Sequence, residues 1–211
     1  MMNNEQKFFT HIKAKLFNGK LTQSQVDGIN AVLDAISPFT IPEQAYMLAT
    51  VYHETAKTMQ PISEYGKGKG YAYGHWTVNS KNKRYCVKNS TKTSVYTFEE
   101  YPHLYYGRGY VQLTWFDNYL RAGRELAKVG LIDDEKLFLK NPEMANDENL
   151  AAQIMCFGMA QGWFTGKKLA HYFSGSLKNY KGARKIINGV DKADLIASYA
   201  NIFETALRLA V

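Results

Sequence analysis

The chain has 211 residues, 45% of them hydrophobic and 14% aromatic, enough for a packed core in one domain or two closely packed lobes. Its net charge of +7 favours anionic partners, and nucleic acid, acidic lipid and peptidoglycan or another anionic wall polymer all qualify on charge alone. The two cysteines, Cys86 and Cys156, lack metal-type spacing and argue against a disulfide framework, and no apolar run reaches the length of a membrane span.

Residues 1–17 read MMNNEQKFFTHIKAKLF, with charges spread throughout and no apolar core of the kind a secretory signal needs. With the cysteine usage, this predicts synthesis in a reducing cytoplasm. A substrate beyond the inner membrane then requires another protein to open the route. Phe8, Phe9, Ile12 and Leu16 lie at helical spacing, and Asn18-Gly19 stops that helix. Thr22 precedes Gln25 by three residues, a capping-box pattern. The second helix then buries Val26, Ile29, Val32, Leu33 and Ile36 and ends at Ser37-Pro38. Pro42 suits the first turn of a third helix.

That third helix leads into residues 46–64, YMLATVYHETAKTMQPISE. At about 3.6 residues per turn, Met47, Val51 and Glu54 share a face. A carboxylate on such a stripe meets packed side chains as well as solvent, and desolvation suits a general acid near neutral pH. Pro61 is expected to end the helix, which leaves Glu64 on a following loop, better solvated and able to point back. A protected acid and a solvated carboxylate across a cleft can hydrolyse a glycosidic bond. Spacing alone does not make the pair catalytic. His53-Glu54 is not a zinc-protease motif, because Lys57 stands where the second histidine would be, and His53 reads as structural or cleft-lining.

From about residue 66 to 106 helical periodicity is absent. Short alternating pieces at 84–87 and 94–98 predict a small hairpin. Lys67, Lys69, Lys81, Lys83, Arg84, Lys88 and Lys92 outnumber Glu99 and Glu100. Two readings stand: a solvated, mobile loop, or a basic aromatic rim in which Tyr71, Tyr73, Trp76 and Tyr105 touch substrate. No RNA- or DNA-binding motif accompanies the cations. Residues 105–119, YYGRGYVQLTWFDNY, place Gly107 and Gly109 about Arg108, which permits a sharp turn, and lack the pattern of a phosphate loop. A helix follows with Leu120, Gly123, Leu126 and Ala127 on one face. Asn141-Pro142 breaks the chain, and Asp147-Glu148 open a widely apolar helix, read as the central buried one, with close contacts at Gly158 and Gly162 and its end at Trp163-Phe164. Residues 166–185 hold Lys167, Lys168, Lys178, Lys181, Arg184 and Lys185 and no acid, which reads as a solvated face or a surface for anionic polymer or membrane. Residues 186–189 form a turn. Asp191 and Asp194 start a last helix burying Leu195, Ile196, Tyr199, Ile202, Phe203, Ala206 and Leu207. No repeat or linker marks a separate binding module.

HET at 53–55, YYGRGYVQLTW at 105–115 with Asn118-Tyr119, Asn141-Pro142 before a long helix ending Trp163-Phe164, and IING at 186–189 occur in that order. Together they resemble glycoside hydrolase family 19, the chitinase-like group. The missing secretory signal and the N-terminal NGKLTQSQVDGINAVLDA most resemble its phage-endolysin branch. The resemblance runs from about Leu21 to the C-terminus. It implies a mainly α, lysozyme-like, two-lobed helical domain over 1–211, with the 66–106 insertion lining the cleft and no separate wall-binding domain. It implies an inverting hydrolase with Glu54 as general acid, Glu64 as general base and Thr114 helping to hold the attacking water. Tyr106, Arg108, Gln112, Asn118 and Asn188 match substrate-binding or network positions. No metal and no organic cofactor is implied. Inversion leaves room for the water, which predicts carboxyl groups roughly 6.5–9.5 Å apart. The sequence departs from plant members at Tyr110, where they carry proline, in lacking their paired cysteines, and in the short spacing between the glutamates. That spacing keeps Glu99 and Glu100 as fallback bases.

The leading expectation is a monomeric endolysin that cleaves peptidoglycan glycan strands in the periplasm once the membrane is permeabilised, as muramidase or glucosaminidase. Contact with anionic envelope lipid or lipopolysaccharide is a further expectation, and no nucleic-acid partner is expected. The alternatives are a chitinase acting on N-acetylglucosamine polymers and a non-enzymatic cationic protein that disrupts envelopes.

Overall fold

The computed structural model describes residues 4–211, so Met1–Asn3, the start of the stretch read for a secretory signal, lie outside it. In chain order the elements are α1 (Glu5–Leu16), α2 (Gln23–Ile36), α3 (Ile41–Glu54), β1 (Ile62–Ser63), β2 (Thr77–Val78), β3 (Arg84–Val87), β4 (Val95–Thr97) and β5 (Arg108–Gly109). They continue with α4 (Phe116–Lys128), α5 (Leu137–Lys140), α6 (Glu148–Gln161), β6 (Phe173–Ser174), β7 (Leu177–Lys178), α7 (Tyr180–Ala183) and α8 (Ala193–Leu209). The chain is mainly helical and falls into two compact units, divided within α6. One comprises the chain up to Gln60 with Met155–Val211, and the other is Pro61–Ile154.

In the first unit α3 packs on α8, α1 and α7 also pack on α8, and α2 packs on α3. The predicted Thr22–Gln25 pair and Pro42 act here as written, and Thr40 with Glu43 adds a cap that the sequence reading did not name. Thr22 and Gln25 form the capping box of α2, Glu43 accepts from both the amide and the hydroxyl of Thr40 at the start of α3, and Pro42 occupies its first turn. Along α3 every residue from Ala45 to Tyr52 is buried, as a helix in contact on all sides requires. Its tyrosines satisfy their hydroxyls on distant backbone: Tyr46 donates to the Ala183 carbonyl at 2.7 Å and Tyr52 to that of Leu16 at 2.5 Å.

Pro61 does not end α3. The helix stops at Glu54, where the Thr55 hydroxyl donates to the Val51 carbonyl and accepts from the Met59 amide, and Ala56, Lys57 and Met59 take left-handed backbone at φ 49°, 71° and 57°. Gly158 and Gly162 also differ from the reading as helix contacts. A side chain at Gly158 would overlap the Phe164 ring, while Gly162, at φ 78°, turns the chain out of α6. Between α6 and the last helix lie a β6–β7 hairpin, the short α7 and a 3-10 turn at Arg184–Ile186, none of which periodicity revealed.

In the second unit β1 pairs antiparallel with β5, Ile62 opposite Gly109 and Ser63 opposite Arg108. The expected hairpin is a three-stranded antiparallel sheet in the order β2-β3-β4. An aromatic cluster of Tyr96, Tyr105, Phe116 and Tyr119 forms its core. Tyr105 therefore does not belong to an exposed rim: it is 1% exposed and donates to the Leu139 carbonyl. The buried face of α4 carries Phe116, Tyr119, Ala122, Gly123 and Leu126; it shares Gly123 and Leu126 with the predicted stripe, whereas Leu120 and Ala127 are half-buried. At Gly123 the helix meets backbone, and a Cβ there would overlap the Glu135 carbonyl.

Candidate functional site

The first unit supplies Glu54, in the last turn of α3. Met47 and Val51 on the same stripe are fully buried, and the Glu54 side chain is 19% exposed. Its Oε1 accepts from Arg184 Nη1 at 2.5 Å. The Arg184 side chain is 3% exposed and is held from its other side, where Nε donates to the Asp191 carbonyl at 2.9 Å. Arg184 thus fixes one oxygen of the carboxyl and leaves the other outside the pair. Burial lowers the pKa of neighbouring His53, against the opposing pull of the Glu54 charge. Asn188 is exposed. Its amide donates to the Arg184 carbonyl at 3.0 Å, and its side-chain oxygen accepts from the Gly189 amide. The 183–188 segment is anchored by Tyr46 on Ala183 and by the Thr165 hydroxyl on the carbonyls of Lys185 and Ile186. Sequence reasoning counted Arg184 only among the surface cations. Its one signal was its place just before the 186–189 block.

The second unit brings together Glu64, Tyr106, Arg108, Gln112, Thr114 and Asn118 around the β1–β5 pairing. Glu64 follows β1 directly, and its amide donates to the Gly107 carbonyl at 2.7 Å. In return the Gly107 amide donates to Glu64 Oε2 at 3.0 Å, and the Tyr73 hydroxyl donates to Oε1 at 3.0 Å. Burial, followed by the bond to Glu64, pushes the Tyr73 phenol up, so it remains a donor. Gly107 lets the Gln112 side chain lie close, since a Cβ would meet Gln112 Oε1 at 2.6 Å. Gln112 Nε2 donates to the Ile62 and Gly109 carbonyls, which ties the turn to β1. The Thr114 hydroxyl donates to the Gln112 carbonyl at 2.8 Å, and Asn118 Nδ2 to the Thr114 carbonyl at 2.8 Å. Gln112 and Trp115, either side of Leu113-Thr114, hold φ of 54° and 77°. Such backbone costs of order 1–3 kcal/mol per residue and collects at functional sites.

Arg108 and Tyr106 form the frame beneath this turn. Arg108 is 3% exposed; it bonds Glu143 through Nε and Nη2, donates from Nη1 to Tyr119 Oη and the Leu104 carbonyl, and lies 3.6 Å over the Tyr106 ring. Burial would raise the Glu143 carboxyl, but the hydrogen bond and charge of Arg108 outweigh it and hold the group below its usual range. Of the fallback carboxylates, Glu99 is exposed and Glu100 caps its own turn, accepting from the Thr97 amide and hydroxyl.

No family model matches the sequence, and no curated protein matches it. Among solved structures, chitinase C from Streptomyces griseus HUT6037 is similar with a TM-score of 0.58 at 19% identity, over 98% of this chain and 76% of that one. A glutamate-to-glutamine mutant of chitinase C gives a TM-score of 0.59 at 20% identity with the same coverage. The likeness is one of fold. The chain adopts a mainly α, lysozyme-like fold of the chitinase kind, the class that the resemblance implies.

Proposed function

We propose that the protein is a glycoside hydrolase that cleaves the glycan strand of bacterial peptidoglycan by inversion, and that it serves as a phage endolysin in host lysis. The seating of Glu64 carries the reading. The Gly107 amide and the Tyr73 hydroxyl each take one carboxylate oxygen, so the group is oriented by donors on two sides. A base held in this way is ready to polarise a water. Thr114 suits the same water: its proton is committed to the Gln112 carbonyl, so its oxygen is left as an acceptor. A water giving one hydrogen to Glu64 and the other to Thr114 keeps a lone pair for attack on the anomeric carbon. Glu54, fixed by Arg184 through one oxygen, protonates the leaving glycosidic oxygen with the other.

The likeness to chitinase C over 98% of the chain supports a glycosidase and also favours a second reading, a chitinase. The run of seven cations without a carboxylate from Lys67 to Lys92 favours the anionic polymer instead. The test is a digest of purified peptidoglycan, with new ends trapped by reduction and identified by mass spectrometry. Wild type is expected to release reduced N-acetylmuramic acid ends as a muramidase, or reduced N-acetylglucosamine ends as a glucosaminidase. Glu54→Gln should release about a hundredfold fewer or less. Equal release by the two proteins refutes the assignment of Glu54. Cleavage confined to N-acetylglucosamine polymers selects the chitinase.

A further inference from the structure

The loop that begins at Glu64 is built of successive turns. Lys67 donates to Glu64, Lys69 to Gly66, Tyr71 to Gly68 and Gly74 to Tyr71, each backbone to backbone at 2.9–3.0 Å. Gly68 and Gly74 meet backbone on backbone, so that a Cβ on Gly74 would overlap the Gly68 carbonyl. The loop is therefore closed on itself, and it sets three aromatic rings in a row. Tyr73 stands edge-on to Trp115 at 4.8 Å and 79°. Tyr71 lies against Tyr73 with ring centroids 5.2 Å apart and planes within 4°. The inner ring is the one that donates to Glu64 at 3.0 Å, whereas the Tyr71 residue is 58% exposed. A parallel pair of rings beside a seated carboxylate, with its outer member open to solvent, is more than core packing needs.

We propose that the Tyr71–Tyr73 stack is a sugar-binding platform, on whose outer ring one pyranose of the glycan strand lies flat, next to the bond that Glu64 serves. This rests on Glu64 being the base of the proposed reaction. A pyranose presents a face of C–H groups flanked by hydroxyls, which suits an exposed aromatic face, and tyrosine offers that face at little conformational cost. Tyr73 backs the outer ring and is itself tied to Glu64, so the platform and the base are one rigid piece. Lys67 and Lys69 are exposed on the same loop and form no ion pair among the described residues. They suit a strand that bears carboxylates beside its sugars.

The experiment is isothermal titration of the full chain carrying Glu54→Gln, to prevent turnover, with soluble uncrosslinked peptidoglycan strands. It is repeated with Tyr71→Ala and Tyr71→Trp added, and hydrolysis by the parent protein with Glu54 intact is followed in parallel. Tyr71→Ala is expected to weaken binding about tenfold and Tyr71→Trp to preserve it. Hydrolysis by the parent with unchanged affinity in Tyr71→Ala overturns the platform and leaves the hydrolase standing. Binding that depends on Tyr71 without any hydrolysis leaves Tyr71 as a sugar contact but removes the hydrolase, and with it a platform beside a bond that Glu64 serves. Absence of both binding and hydrolysis refutes the two together. Equal weakening in the alanine and tryptophan variants also overturns the platform, because a stacking surface accepts the larger ring.

Discussion

Replacing Glu54 has consequences for stability as well as chemistry, because its partner is the more deeply buried of the two. The Arg184 side chain is 3% exposed and that of Glu54 19%. Arg184 keeps its bond to the Asp191 carbonyl whatever stands at position 54, but its Nη1 loses its anionic acceptor. Glutamine still offers a carbonyl oxygen of the same reach, whereas leucine offers none and leaves a buried guanidinium uncompensated. Breaking a buried pair from one side costs about 3–5 kcal/mol. Glu54→Leu is therefore expected to lose about 3 kcal/mol in urea unfolding, and Glu54→Gln about 1 kcal/mol. Equal midpoints for the two variants would show that the pair is not made in solution. Glutamine is accordingly the substitution that separates lost chemistry from lost fold.

At the scale of elements, α8 carries a carboxylate that holds three pieces of the first unit. Glu204 is buried and accepts from Lys178 at the end of β7, from the Tyr180 hydroxyl of α7 and from Arg208 one turn along α8. Burial alone would raise this carboxyl, but the bonds from Lys178, Arg208 and Tyr180 outweigh it and bring it to about 2. The unfolded chain protonates the same group near pH 4.5, the ordinary value. A depressed carboxylate stabilises the fold above its unfolded pKa, and the contribution, on the order of 2 kcal/mol, is lost as pH falls from about 4.5 towards 2. Wild type should lose stability through that window when followed by circular dichroism in urea. Glu204→Gln should be less stable at pH 7 and lack this contribution to the acid slope. An acid slope unchanged in the variant would remove Glu204 as its source.

The same helix shows what sequence makes legible. The Thr22–Gln25 capping pair and the Pro42 start are local, and each appears where the pattern placed it, whereas Arg108-Gly109 form β5 and the turn follows at 110–112. Glu204 breaks the apolar stripe of α8, and nothing local announces partners on β7 and α7. The Glu54–Arg184 pair closes over 130 residues, and Tyr105 is buried because an aromatic core assembles from segments that are irregular in sequence. Periodicity placed Gly123 and Leu126 on the buried face of α4 but missed Phe116, Tyr119 and Ala122, which are buried there too, and side-chain hydropathy does not encode the backbone approach at Gly123.

Across the whole molecule, the +7 charge is unevenly committed. The basic stretch at 166–185 is partly neutralised: Lys178 pairs with Glu204, Lys181 with Asp194 and Arg184 with Glu54. The seven cations from Lys67 to Lys92 have no ion pair among the described residues, and Arg84 and Lys88 lie over the rings of Phe98 and Phe116. Uncommitted cations of this kind attract an anionic polymer through a field that salt removes, since the screening length falls from about 10 Å at 0.1 M to about 3 Å at 1 M. A neutral sugar polymer feels no such field. Turnover of peptidoglycan sacculi at low substrate is therefore expected to fall about tenfold between 0.05 M and 0.5 M sodium chloride. Turnover of a neutral N-acetylglucosamine oligomer should stay within about twofold over the same range. Glutamine at Lys81, Lys83 and Lys88 together should flatten the response to sacculi. Equal salt sensitivity on both substrates would mean that salt acts on the fold or on the chemistry, and would return the preference for peptidoglycan to question.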